Sequence, residues 1–108
     1  MREVGQYYVY IISNWTNTAI YVGITKDLRY RVLEHKEKRQ RGFTAQYNIK
    51  KLVYYEEFES AYEAIQREKQ IKNWKRKWKE ELIEKNNLHY ADLSKNWFDD
   101  PDSGSSPE

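Results

Sequence analysis

The stretch YYVYIISNWTNTAIYVGI, residues 7–24, reads as two strands and the connection between them. Its first part, YYVYIIS (7–13), is aromatic and β-branched with no strong helix former. Both alternating faces are apolar, Tyr8, Tyr10 and Ile12 on one and Tyr7, Val9 and Ile11 on the other. A strand of that kind is expected to be covered on both sides. SNWTNT is a cluster of turn residues, and AIYVGI (19–24) reads as the second strand. So short a connection predicts an antiparallel hairpin.

Working outward, Thr25 is placed to cap a helix running to about Lys38, with Asp27 in its first turn where the helix dipole favours an acid. QRGFTAQYN (40–48) reads as loop, and KLVYYEEF (51–58) as a third strand. Ser60, with Glu63 three residues later, has the pattern of a capping box and opens further helix. No Pro or Gly interrupts residues 60–86, which leaves one bent helix and two separate helices both open, with Asn86-Asn87 as the end. Leu88, Tyr90, Leu93, Trp97 and Phe98 are expected to pack back on the rest. The fold class is therefore α+β, a small three-stranded, mainly antiparallel sheet flanked by helices in the order β-β-α-β-α-α. Residues 1–98 are expected to form one domain, and DDPDSGSSPE (99–108) has the composition of a disordered acidic tail.

The 108 residues suit a single compact core. Ten tyrosines supply much of its apolar area. Without cysteine, disulfides and thiolate metal sites are excluded. No segment approaches the roughly 18 continuous apolar residues of a membrane span, and no signal peptide is evident, so a cytoplasmic, membrane-free protein is expected. The net charge of +2 hides an uneven distribution. Residues 66–79 carry seven Lys or Arg and one acid, Glu68, while residues 26–41 carry seven against three. A single basic run is usually solvated helix surface, but two in so small a chain point to a polyanion such as nucleic acid.

Five polar side chains invite a chemical reading. In YEAIQREKQIKNW (62–74), Ala61, Ala64, Ile65 and Ile71 fall on one side of a helix at about 100° per residue, and Glu68 projects among them. A buried carboxylate needs a cationic partner, a neighbouring Lys or Arg, or a metal ion. On the first helix Leu28 and Val32 mark the apolar stripe, with Arg31 and His35 stacked one turn apart at its edge. Such a pair is most often surface decoration. Tyr10 and Tyr21, on neighbouring strands, can present phenols to one side, although tyrosine on a sheet face is often core with a wet tip. Gly23, on the face of Tyr21, leaves a gap that suits a bulge or the close approach of another group. Together these groups fit phosphodiester hydrolysis, which calls for a carboxylate on a metal, a guanidinium on phosphate and a base for water.

Their order is specific. YVY (8–10) and YVG (21–23) resemble the two halves of the signature of the GIY-YIG nuclease superfamily. YVGITKDLRYRVLEH (21–35) is similar to the family's run from YIG through Arg to His, which places Arg31 and His35 on its catalytic positions. Glu68 falls where the family carries its metal-binding Glu. The likeness covers about residues 6–80 and is greatest to small single-domain bacterial members, akin to the N-terminal domain of the excision-repair incision subunit. YVY replaces GIY, Ile24 stands where some members have Lys, and position 80 is Glu where some have Asn.

The resemblance implies an endonuclease acting on DNA, structure-specific or repair-related, with one Mg²⁺ or Mn²⁺ ion held by Glu68. Arg31 would hold the scissile phosphate, Tyr10 or Tyr21 would position and deprotonate the attacking water, and His35 would accept that proton or orient a tyrosine. Lys26, Arg29, Lys72 and Lys75 are the candidate DNA contacts. The alternative of another class is a non-catalytic nucleic-acid-binding module on the same fold. A protein-binding domain is a third, resting on Trp74 and Trp78, whose spacing more often signals core.

Overall fold

The computed structural model describes residues 6–37 and 49–98. Strands β1 (Tyr7–Ser13) and β2 (Ile20–Thr25) are followed by helix α1 (Leu28–Lys36), strand β3 (Lys51–Phe58) and helices α2 (Ala61–Asn73) and α3 (Arg76–Asn86). The expected helix end at Lys38, the loop at 40–48 and the tail at 99–108 lie outside the described residues. Strand order is β2-β1-β3, with β1 antiparallel to both neighbours. The class and order expected from the sequence are those observed.

Alternation along β1 builds two cores. Val9 and Ile11 join Val22, Val53, Tyr54, Ala64, Ile71 and Ile83 under α2 and α3. Tyr10 and Ile12 join Leu52, Leu28, Val32 and Ile49 on the opposite face, beneath α1. Each of Val9, Ile11, Ile12 and Val32 is wholly inaccessible. A register shift opposite Ile11 and Ile12, which pair with Tyr54 and Leu52, leaves Val53 as an extra residue. This bulge lets the consecutive Val53 and Tyr54 enter the same cluster.

Several local expectations are corrected. Asp27, not Thr25, is the N-cap of α1, its Oδ1 accepting from Tyr30 N at 3.0 Å. Thr25 Oγ1 accepts instead from Asp27 N at 3.1 Å and so fixes the turn before the helix. Ser60 caps α2 as expected, accepting from Glu63 N. The stretch 60–86 is two helices, parted by Trp74 and Lys75 in extended conformation. One continuous helix would separate Ile71 from Ile83 by about 18 Å, yet both fill one cluster. Tertiary packing therefore breaks the helix where no Gly or Pro does.

The segment after α3 returns along β3, with Leu93 N donating to Leu52 O and Asp92 Oδ1 accepting from Leu52 N. Asp92 also holds Lys36 Nζ at 2.7 Å and both the backbone N and Oγ of Ser94. Tyr90, Trp97 and Phe98 pack on the cores, but Leu88 and Leu93 do not, being 66% and 39% exposed. Backbone pairing rather than leucine burial docks this segment. No helix of the described residues is long and apolar enough to cross a membrane.

Candidate active site

Pairing places Tyr10 opposite Gly23 and Ile12 opposite Tyr21. Tyr10 and Tyr21 thus share the α1 face of the sheet, their ring centroids 6.5 Å apart. A Cβ built on Gly23 would lie 2.4 Å from the Tyr10 hydroxyl and 2.5 Å from Cζ. The gap at Gly23 is filled by the Tyr10 phenol itself; no bulge occurs there.

One turn of α1 carries the next two groups. His35 is buried and its Nε2 is 3.2 Å from the Tyr10 hydroxyl. Its ring centroid is 5.9 Å from those of both Tyr10 and Tyr21. Burial, seconded by the nearby Arg31 guanidinium, pulls the imidazole down to about 4, against an opposing pull from Glu34. His35 is therefore neutral at pH 7. Burial pushes Tyr10 up to about 12, although Arg31 acts in the other direction. Arg31 is itself held above its ordinary value: burial lowers it, but the Tyr10 phenol and the Glu34 carboxylate outweigh that. Its Nε sits 3.0 Å from Glu34 Oε1. Among the described residues neither Arg31 Nε nor His35 Nδ1 has an aligned hydrogen-bond partner.

Glu68 reaches the cluster from the other layer. Ala64 and Ile71 form the buried stripe of α2, Ile65 is 40% exposed and so lies outside it, and Glu68 flanks the stripe. Its carboxylate pairs with Lys72 Nζ at 2.8 Å, an i,i+4 contact. The ion-pair partner is thus a neighbouring lysine of its own helix; Arg31 stands on α1, across the sheet. The Lys72 ammonium in turn lies 5.7 Å from the centroid of the Tyr21 ring. Four groups (Tyr10, Tyr21, Arg31 and His35) make one cluster, and Glu68 joins it through Lys72. The i,i+3 and i,i+4 spacings of Glu34 and Lys72 were the available signals for these two further members.

The basic candidates scatter around this centre. Lys26 Nζ lies over the Tyr7 ring, and Arg29 donates to Trp97 O while stacking on Phe98. Lys75 is exposed at the break between α2 and α3. Trp78, expected in the core, is 51% exposed and meets Trp74 edge to face.

The model of the GIY-YIG catalytic domain matches residues 6–81. The chain belongs to the GIY-YIG family. A UPF0213 protein of Staphylococcus saprophyticus is 32% identical over 78 residues, 72% of this chain and 94% of the relative. A UPF0213 protein of Natronomonas pharaonis is 36% identical over 77 residues, 71% and 89% of the two chains. The solution NMR structure of a UPF0213 protein from Bacillus halodurans superposes with a TM-score of 0.53 at 26% identity, covering 87% of this chain and 98% of that one. GIY-YIG is a nucleic-acid-acting family, typically of endonucleases that use a divalent metal.

The GIY-YIG domain's residues fit such an ion. No group of three or more His, Cys, Asp or Glu capable of holding a metal exists among the described residues; with Glu34 held by Arg31, Glu68 is the carboxylate that would hold such an ion. Mg²⁺, which keeps several waters and takes one or two carboxylates, suits that arrangement. Lys72 already places a positive charge at this carboxylate, beside Tyr21. The position accommodates a cation.

Proposed function

We propose that this GIY-YIG domain, spanning residues 1–98, is a metal-dependent endonuclease that hydrolyses phosphodiester bonds in DNA, with branched or damaged DNA as its substrate class. The observation that carries the reading is the buried Tyr10–His35 contact at 3.2 Å with Arg31 and Tyr21 around it. A purely structural core has no use for two phenols, an imidazole and a guanidinium on one face, since each costs free energy to desolvate.

Glu68 would hold the Mg²⁺ or Mn²⁺ ion, which when bound supplies charge stabilisation for the leaving oxygen. Arg31 binds the scissile phosphate with its forked donors. One of the two tyrosines positions the attacking water. His35, neutral and hydrogen-bonded to Tyr10, fixes the ring of that tyrosine. Lys75 supplies a contact along the DNA backbone and Lys72 joins it once released from Glu68, while Lys26 and Arg29, engaged with Tyr7, Trp97 O and Phe98, flank the path.

The test is cleavage of plasmid and branched DNA with Mg²⁺ or Mn²⁺. Wild type is expected to nick these substrates, and Arg31→Ala and Glu68→Ala to lose at least about a hundredfold in rate, as when a preorganised charge contact is removed. Undiminished cleavage by Glu68→Ala would refute the proposed role of that carboxylate. Salt-dependent binding with no cleavage by wild type would leave the domain a nucleic-acid-binding module.

A further inference from the structure

The face that carries the catalytic cluster continues past it. Tyr55 on β3 is the direct cross-strand partner of Tyr10 on β1, so their Cβ atoms lie about 4.5–5.5 Å apart. From Tyr55 the aromatic path runs on to Tyr8, at 6.4 Å between centroids, and to Trp97, at 6.2 Å, both edge to face. These three rings wall an open cleft of about 360 Å³ at the entrance to α1. Tyr55 is 37% exposed. Nothing in the proposed hydrolysis uses any of the three.

The charges around the cleft indicate what it takes. Lys26 and Arg29 line it, but so do Asp27 and Glu57, and the two cations are already engaged with Tyr7, with Trp97 O and with Phe98. A phosphate would meet as much negative as positive charge. A flat, neutral ring would gain stacking area on the exposed Tyr55 ring and the half-buried Tyr8 and Trp97, and its N–H donors, the imino N–H of thymine among them, would find acceptors in Glu57 and Asp27. A base inside a duplex is already stacked and paired, so the occupant must be unpaired.

We propose that the Tyr8–Tyr55–Trp97 cleft is a subsite for the base of an unpaired nucleotide next to the scissile phosphate. This rests on the nuclease reading, since it places the base beside Tyr10, and it makes the substrate a junction between duplex and single strand. Stacking of one base on an aromatic side chain is worth ~1–3 kcal/mol, roughly 5- to 150-fold in affinity.

Binding is measured in EDTA, where no cleavage is needed, by fluorescence anisotropy of labelled hairpin DNA. Three forms are compared at one salt concentration: blunt-ended, carrying a three-thymidine tail, and carrying an abasic tail with the same phosphates. Wild type is expected to bind the thymidine tail about tenfold more tightly than either other form. Tyr55→Ala and Trp97→Ala are expected to abolish that gain, and Tyr55→Phe to keep it, with thermal melts confirming that each variant is folded. An abasic tail that binds as well as the thymidine tail overturns the proposal using wild type alone, and so does a gain that survives both alanine variants. A protein that prefers the thymidine tail yet cuts nothing with metal keeps this subsite and loses the nuclease reading. One that cuts but ignores the tail does the reverse.

Discussion

Gly23→Ala tests the geometry of the cluster at its tightest point. The new methyl would lie 2.4 Å from the Tyr10 hydroxyl, 2.5 Å from Cζ and 3.0 Å from Cε2. Carbon atoms prefer about 3.5–4.0 Å, so the phenol must retreat by about 1 Å. It has little room, being 1% exposed and in contact with His35. Overpacking of this kind costs ~1–3 kcal/mol. Alanine also narrows the unfolded ensemble, which returns ~0.4–1 kcal/mol. The net loss should be about 1–2 kcal/mol, a fall in Tm of roughly 5–15 °C for a domain of this size. Circular dichroism melts read the stability, and plasmid nicking should drop with it at temperatures where the variant is fully folded. The cause is isolated by a double-mutant cycle. In a Tyr10→Leu background the ring end is gone, so Gly23→Ala should cost at least about 1 kcal/mol less. An equal cost in both backgrounds, or no cost in the wild-type background, would show that Tyr10 does not occupy the space over Gly23.

Two other consequences follow from the charged groups. His35 has a folded-state value of about 4, below the ~6.5 of an unfolded histidine. Between those values the unfolded chain binds the extra proton, so stability rises with pH there, is fully present above about 6.5 and is lost as pH falls towards 4. From pH 7.5 to pH 4.5 wild type should lose ~2–3 kcal/mol more than His35→Gln in urea denaturation, and equal losses would contradict a buried neutral imidazole. Lys72→Met should free Glu68 for a metal ion: the pair is an i,i+4 contact with a lysine 46% exposed, so Mn²⁺ binding read by electron paramagnetic resonance should tighten only about twofold. Weaker Mn²⁺ binding would mean that Lys72 supports the site instead of competing for it.

What the sequence made legible was whatever a local rule decides. Period-two alternation in residues 7–13 correctly required two covered faces, and the Ser60 cap sits where its pattern placed it. Spacing and order also brought Tyr10, Tyr21, Arg31 and His35 to one place. The misses all depended on non-local packing. Thr25 and Asp27 are both good capping residues, and only the backbone path out of β2 selects Asp27. The break at Trp74-Lys75 answers to Ile71 and Ile83 sharing one cluster, which no local composition encodes. Ile65 turns outward because α2 contributes a narrow stripe, Ala64 to Ile71, at full burial. Glu68 called for a cationic partner, and which of the many nearby bases supplies it, Lys72, depends on side-chain placement that composition does not encode.

The values around Tyr10 restrict how the cluster can work. Its phenol stands at about 12 and the imidazole it touches at about 4. Burial raises the one and lowers the other, so moving the proton from phenol to imidazole is strongly unfavourable. In the resting domain the Tyr10–His35 contact is therefore an orienting hydrogen bond between neutral groups, not a proton relay. The cause is burial, the same burial that makes Tyr10 part of the core with Ile12, Leu28 and Val32. Arg31 is the nearby cation that lowers Tyr10, and it is also the group shaped to grip a phosphate. On the proposed function, phosphate binding at Arg31 and ionisation of Tyr10 would be coupled through one guanidinium. If the domain hydrolyses DNA as proposed, a phosphate held by Arg31 would weaken that pull on Tyr10, and ionising the phenol would fall to the bound cation.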